Sequence, residues 1–168
     1  MRVLLLVIFG SAFGFSACTK EKKSHFAIEG ISLLAEGPLT EGSNTAQGTY
    51  KDALSSFLQS NNLKVDQISN IRLVKAELST PDSLDMRLLK SITLQFASDQ
   101  ADMFEAGVVN PVPDGAKSVV LQLPQEAKDL LPTLRQTSFS VVADLDIKQD
   151  TSMNFPLFGN FEFKISHR

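Results

Sequence analysis

Apolar and polar residues alternate with a period of two along most of this chain. Thr137 to Asp146 is the clearest case. Phe139, Val141, Ala143 and Leu145 fall on one side, and Ser138, Ser140, Val142, Asp144 and Asp146 on the other. Successive side chains of a strand point to opposite faces, so the alternation predicts a half-buried β-strand. Asn160 to Ser166 repeats it, with Phe161, Phe163 and Ile165 inward and Glu162 and Lys164 outward. In Ser91 to Ala97, Ile92, Leu94 and Phe96 oppose Thr93 and Gln95. Further strands are predicted over Phe26–Ala35, Ile68–Leu78, Met103–Val109 and Val119–Leu123. Gly30 interrupts the first of these, which predicts a bulge that moves the apolar face to Ile31 and Leu33.

The period changes in one place. Tyr50, Ala53, Leu54, Phe57 and Leu58 fall on one helical stripe. They predict a helix over Thr49–Asn61, with Thr49 as its N-cap. Thr80-Pro81 predicts a short helix running to about Lys90. Pro124–Leu131 predicts another, stopped by Pro132. Gly37–Gly48 reads as a loop of about a dozen residues, and Asn110–Gly115 as a turn. Strands with one solvated face belong to antiparallel sheets. The fold class expected is therefore mainly β: an antiparallel β-sandwich, immunoglobulin-like or transthyretin-like, with one or two short helices.

The N-terminus departs from this pattern. Arg2 precedes an apolar run, Val3 to Phe15, and Phe15-Ser16-Ala17-Cys18 leads directly into Thr19-Lys20-Glu21-Lys22-Lys23. The run is shorter than the roughly 20 residues that a spanning helix needs. This segment resembles the signal peptide and lipobox of bacterial lipoproteins. The resemblance covers only the first 20 residues or so, and Phe15 stands where that family usually has a smaller aliphatic residue. It implies cleavage before Cys18, a lipid on the Cys18 thiol and a palmitate-type acyl group on the new amine. The organisation it implies is a signal peptide at 1–17, a lipidated tether at 18–25 and one β domain at 26–168. It also implies a cell-envelope location. Thr19, standing where Asp would retain a protein at the inner membrane, favours the outer membrane, and the basic tether favours its periplasmic face.

Composition narrows the chemistry. Cys18 is the only cysteine, so no disulfide is available, and the core draws on 43% hydrophobic residues, 12 of them Phe. The net charge of −3 argues against nucleic acid as a partner. Lys20, Lys22 and Lys23 form the one basic run. The two histidines, His25 and His167, lie near opposite ends of the domain, and no plausible nucleophile is expected beside either. No phosphate-binding glycine loop, nucleophile elbow or zinc-protease motif occurs. No catalytic residue, metal or cofactor is therefore expected. Asp144, Asp146 and Asp150 are the weak candidates for a cation, because calcium favours several oxygens in one place. A solvated strand face explains them more simply.

The function these features imply is a non-catalytic envelope lipoprotein that serves as an interaction module. Its partners would be the membrane, through the lipid, and an envelope protein or glycan. Gly37–Gly48 and Gln149–Gly159 are the expected binding loops, with Tyr50, Phe155 and Phe158 as contact aromatics. The absence of Trp weakens the glycan version. An adhesin or pilus-type subunit that uses strand addition is the alternative, and an envelope hydrolase the remote one.

Overall fold

A computed structural model describes residues 21–168. The segment 1–17 and Cys18 lie outside them. Eight strands form: β1 (Lys22–Ala35), β2 (Gly42–Lys51), β3 (Ile68–Ser79), β4 (Leu89–Ser98), β5 (Ala101–Val109), β6 (Ser118–Val120), β7 (Ser138–Ile147) and β8 (Phe155–His167). Two short helices, α1 (Ser55–Ser60) and α2 (Leu131–Leu134), accompany them.

All strand pairing is antiparallel, in the order β5-β4-β7-β2-β1-β8-β3-β6. The first strand pairs with the last, β2 with β7, β3 with β6, and β4 with β5. A long hairpin bent at β4–β5 and then rolled up produces this set of pairs. It is jelly-roll winding. The immunoglobulin-like or transthyretin-like type expected from the alternation is not the one formed. An immunoglobulin domain divides its strands as ABED and CFG, and here the second strand pairs with the first and the seventh. Alternation reports which face of a strand is buried; it carries no information on which strand lies beside it.

The halves β5-β4-β7-β2 and β1-β8-β3-β6 face each other across the core. Phe96 on β4 meets Phe161 on β8 edge-on, with ring centroids 5.2 Å apart, and Phe139 on β7 at 5.7 Å. Such edge-to-face geometry suits aromatic quadrupoles. Phe139, Val141, Leu145, Phe161 and Phe163 are buried, as their alternation predicts. The bulge at Gly30 is present as well: the β1–β8 register shifts between Ile28 and Ile31, and Gly30 has φ +69°.

Several elements differ from expectation. The loop Gly37–Gly48 is largely strand β2, in register with β7 from Gly42 to Lys51. The helix begins only at Ser55, because Thr49, Tyr50 and Lys51 join that ladder and Asp52, with φ +51°, ends it. Lys22 already belongs to β1, so the second half of the expected tether 18–25, Lys22 to His25, is strand. After Pro81 the chain makes turns rather than a helix, and Thr80 Oγ1 donates to the Leu84 carbonyl. Pro124–Leu131 is irregular, and Pro132 sits in the first turn of α2 instead of stopping a helix.

Candidate functional site

The carboxylates singled out in the sequence do not converge on a cation. Asp144 accepts from Thr45 Oγ1 and from Gln95 Nε2, each at 3.2 Å. Asp146 lies 3.6 Å from Lys90 Nζ, and Asp150 accepts the Glu41 backbone N–H at 2.7 Å. Each one serves the sheet or a loop. Among the described residues, no group of three or more His, Cys, Asp or Glu is placed to hold a metal.

The three aromatics separate. Phe155 opens β8 and is buried, at 1% exposure, so it belongs to the core and not to a binding loop. Tyr50 is half-buried on β2 and packs against Phe139, 6.1 Å between centroids. Only Phe158 is exposed, on the outer face opposite Ser32 of β1.

One pair escaped the sequence reading altogether. The β1–β8 ladder sets Lys22 opposite His167 and so brings Ser24 to the end of β8. Ser24 Oγ and His167 Nε2 share a hydrogen bond of 2.9 Å. A serine and a histidine in contact are two members of a nucleophilic triad. Among the described residues the third is missing, because the buried Nδ1 of His167 has no hydrogen-bond partner there. They stand 143 positions apart in the chain, so no local spacing could have pointed to this pair.

A mostly apolar concavity lies at the seam where the rolled sheet closes on itself. After β6 the chain spans the two sheet edges. Leu121 N–H donates to the Ala76 carbonyl on β3, and Val108 on β5 exchanges backbone hydrogen bonds with Gln122 at 2.9 and 2.8 Å. Further on, Leu130 N–H donates to the Ile71 carbonyl, and Asp129 Oδ1 accepts Ile71 N–H at 2.9 Å. The segment between these anchors is held to β3 at both ends and passes over a cavity of about 210 Å³. Leu73, Phe104, Leu123 and Leu130 supply its apolar wall, and Glu105, Glu126 and Lys128 stand among its lining residues. Lys128 Nζ lies 4.6 Å from the Phe104 ring centroid, a cation–π contact. Among the described residues Lys128 forms no ion pair.

No family model matches this chain, and no curated protein does. Similar solved structures include chains of viruses. A chain of tobacco necrosis virus is 8% identical, with TM-score 0.34, covering 86% of this chain and 95% of that one. Mud crab tombus-like virus gives 9% identity and TM-score 0.37, covering 88% and 89%. Desmodium yellow mottle tymovirus gives 13% and 0.33, covering 99% and 95%. The solved structures named here belong to viruses and none of them to the bacterial envelope, so they lend no support to the function expected from the N-terminus. The envelope-lipoprotein function is accordingly withdrawn. So are its membrane and envelope-protein or glycan partners, its outer-membrane location and the exclusion of nucleic acid. At TM-scores below 0.5, the likenesses transfer no viral role to this chain either.

Proposed function

We propose that this chain works without catalysis, as a stiff β scaffold that takes an apolar group with an anionic end into the seam cavity. The observation that supports this is the meeting, at one place, of an apolar wall and the Lys128 ammonium held over Phe104 with no ion-pair partner among the described residues. Concave, mostly apolar sites with few polar groups are where small ligands bind. The volume of about 210 Å³ suits a short acyl chain or one large side chain, and Lys128 would orient a carboxylate.

The test is calorimetric titration with straight-chain carboxylates of increasing length and with the matching alcohols. Each added methylene that reaches the wall is worth about 0.8 kcal/mol, so affinity should rise about fourfold per carbon until the cavity is full. Lys128→Glu should remove the preference for carboxylate over alcohol. Equal binding of acid and alcohol to the unaltered protein would defeat the reading. Ester or glycan hydrolysis that disappears in Ser24→Ala and His167→Ala would overturn its non-catalytic part.

A further inference from the structure

The outer face of β1, β8 and β3 carries a charge pattern that the seam reading does not use. Strand register sets His25 opposite Lys164, and Lys164 opposite Arg72. Lys164 and Arg72 point away from the core, since their strand neighbours Phe163, Ile165 and Ile71 are buried, and His25 is exposed in register with them. One row across three adjacent strands, about 4.8 Å apart, therefore holds an imidazole, an ammonium and a guanidinium. The next row along holds Lys23, Ser166 and Asn70.

Like charges directly opposite on neighbouring strands weaken a sheet. Elsewhere on this face the pattern is neutralised: one row further, Lys75 lies 3.0 Å from Glu77 and 3.6 Å from Glu162. In the basic rows it is not. Among the described residues, none of Lys23, His25, Arg72 and Lys164 has a carboxylate oxygen within 4.0 Å. The concentration of positive charge also stands out against a chain whose net charge is −3.

The neutral groups there are donors too. The surface forms a shallow basin of about 370 Å³ that includes Ser69, Asn70 and Ser166. Ser69 Oγ donates to Glu21 Oε1 at 3.0 Å, so the chain's own carboxylate sits at the rim. Arg72 directs Nε–H to Asn70 Oδ1 at 3.0 Å, which braces the guanidinium and leaves its outer N–H groups available.

We propose that this basin binds a phosphate or sulfate group. Arg72 contributes the planar fork that matches oxyanion geometry, Lys164 and Lys23 the charge, and Ser166 and Asn70 neutral donors. Glu21 holds the Ser69 hydroxyl at the rim, and its negative charge opposes an anion there.

The experiment is calorimetric titration of the full chain with inorganic phosphate and, separately, with long-chain polyphosphate, at low and at 0.5 M salt. Binding is expected at low salt and should weaken at least tenfold at high salt, where screening is nearly complete. Arg72→Glu/Lys164→Glu should lower affinity at least tenfold without lowering the melting temperature, because the substitution relieves repulsion on the row. Glu21→Gln should tighten binding severalfold, and Lys128→Glu in the seam should leave it unchanged. Saturation by inorganic phosphate supports a single oxyanion as the ligand; binding of polyphosphate alone supports a chain of such groups across both rows. Absence of salt-sensitive binding to either probe, or binding that persists undiminished in Arg72→Glu/Lys164→Glu, overturns the proposal.

Discussion

Phe96 touches four other rings: Phe104 and Phe139 in its own half of the roll, and Phe161 and Phe163 in the opposite half. Neighbours held in hydrogen-bonded ladders can fill only part of the space that a lost phenyl leaves. Phe96→Ala should therefore cost about 3–5 kcal/mol, measured from the shift of a denaturant midpoint. A loss below about 1 kcal/mol would mean that the two halves do not pack through this ring. Glu77 gives a prediction in pH. Its carboxylate is held below the usual range by hydrogen bonds from Lys75 and then from Ser118. A lowered folded pKa contributes stability that is present above the unfolded value, 4.5, and lost as pH falls through the folded one. Glu77→Gln should therefore flatten part of the decline in stability between pH 5 and more acid conditions, seen in denaturant melts across that range. At this scale the alternation was a good guide where polar residues marked the outer face, as at Phe161 and Phe163. It missed Phe155, because Asn154, Pro156 and Gly159 read as loop residues although Phe155 is in the core.

Strand β2 shows what a sequence conceals at the level of an element. Gly-Ser-Asn-Thr-Ala-Gln-Gly-Thr has no apolar alternation, and Ala46 is the only fully buried residue of the strand. The ladder to β7, ten residues in register, holds it in place. Small residues suit the position, because here the sheet bends from one half of the roll to the other. A Cβ on Gly48 would run into the Ser32 carbonyl oxygen and would lie 2.9 Å from the Leu33 side chain. Ser32 is fixed in turn by its pairing with Phe158, so its backbone cannot move aside. Gly48→Ala should cost about 1–3 kcal/mol and be visible as a lower melting temperature; an unchanged value would show that β1 and β2 have slack at the bend. The expected helix over Thr49–Asn61 began too early for the same reason. Its apolar stripe was real, but cross-strand hydrogen bonds to Ser138, Phe139 and Ser140 claimed the first residues.

For the molecule as a whole, the weak point is the seam. Among the described residues, strand pairing joins the halves through β1–β2 on one side and, on the other, through the exchange between Val108 and Gln122. A closure with so few hydrogen bonds should open locally, well below the free energy of global unfolding. The Val108 and Gln122 amides should therefore exchange with solvent earlier than those of Phe161 and Phe163, which lie in the central β1–β8–β3 ladders. Gln122→Pro, which removes one donor of the bridge, should speed exchange along β5 and leave β8 protected. Uniform exchange across both regions would show that the roll opens only as a unit. The seam is also where the cavity forms, so the same variant should weaken any carboxylate bound beside Lys128.

The sequence by itself determined the mainly β character, the inward faces of β4, β7 and β8, and the bulge at Gly30. These are local properties, readable from a two-residue period and from one residue free to adopt positive φ. Only the tertiary structure decided the winding, the use of a polar segment as a central strand, the Ser24–His167 contact, the seam cavity and the basic row. Each depends on which strands lie side by side. Partners such as His25, Lys164 and Arg72 come together through backbone hydrogen bonds between distant segments, and the local polarity pattern that predicts a strand does not record its neighbour.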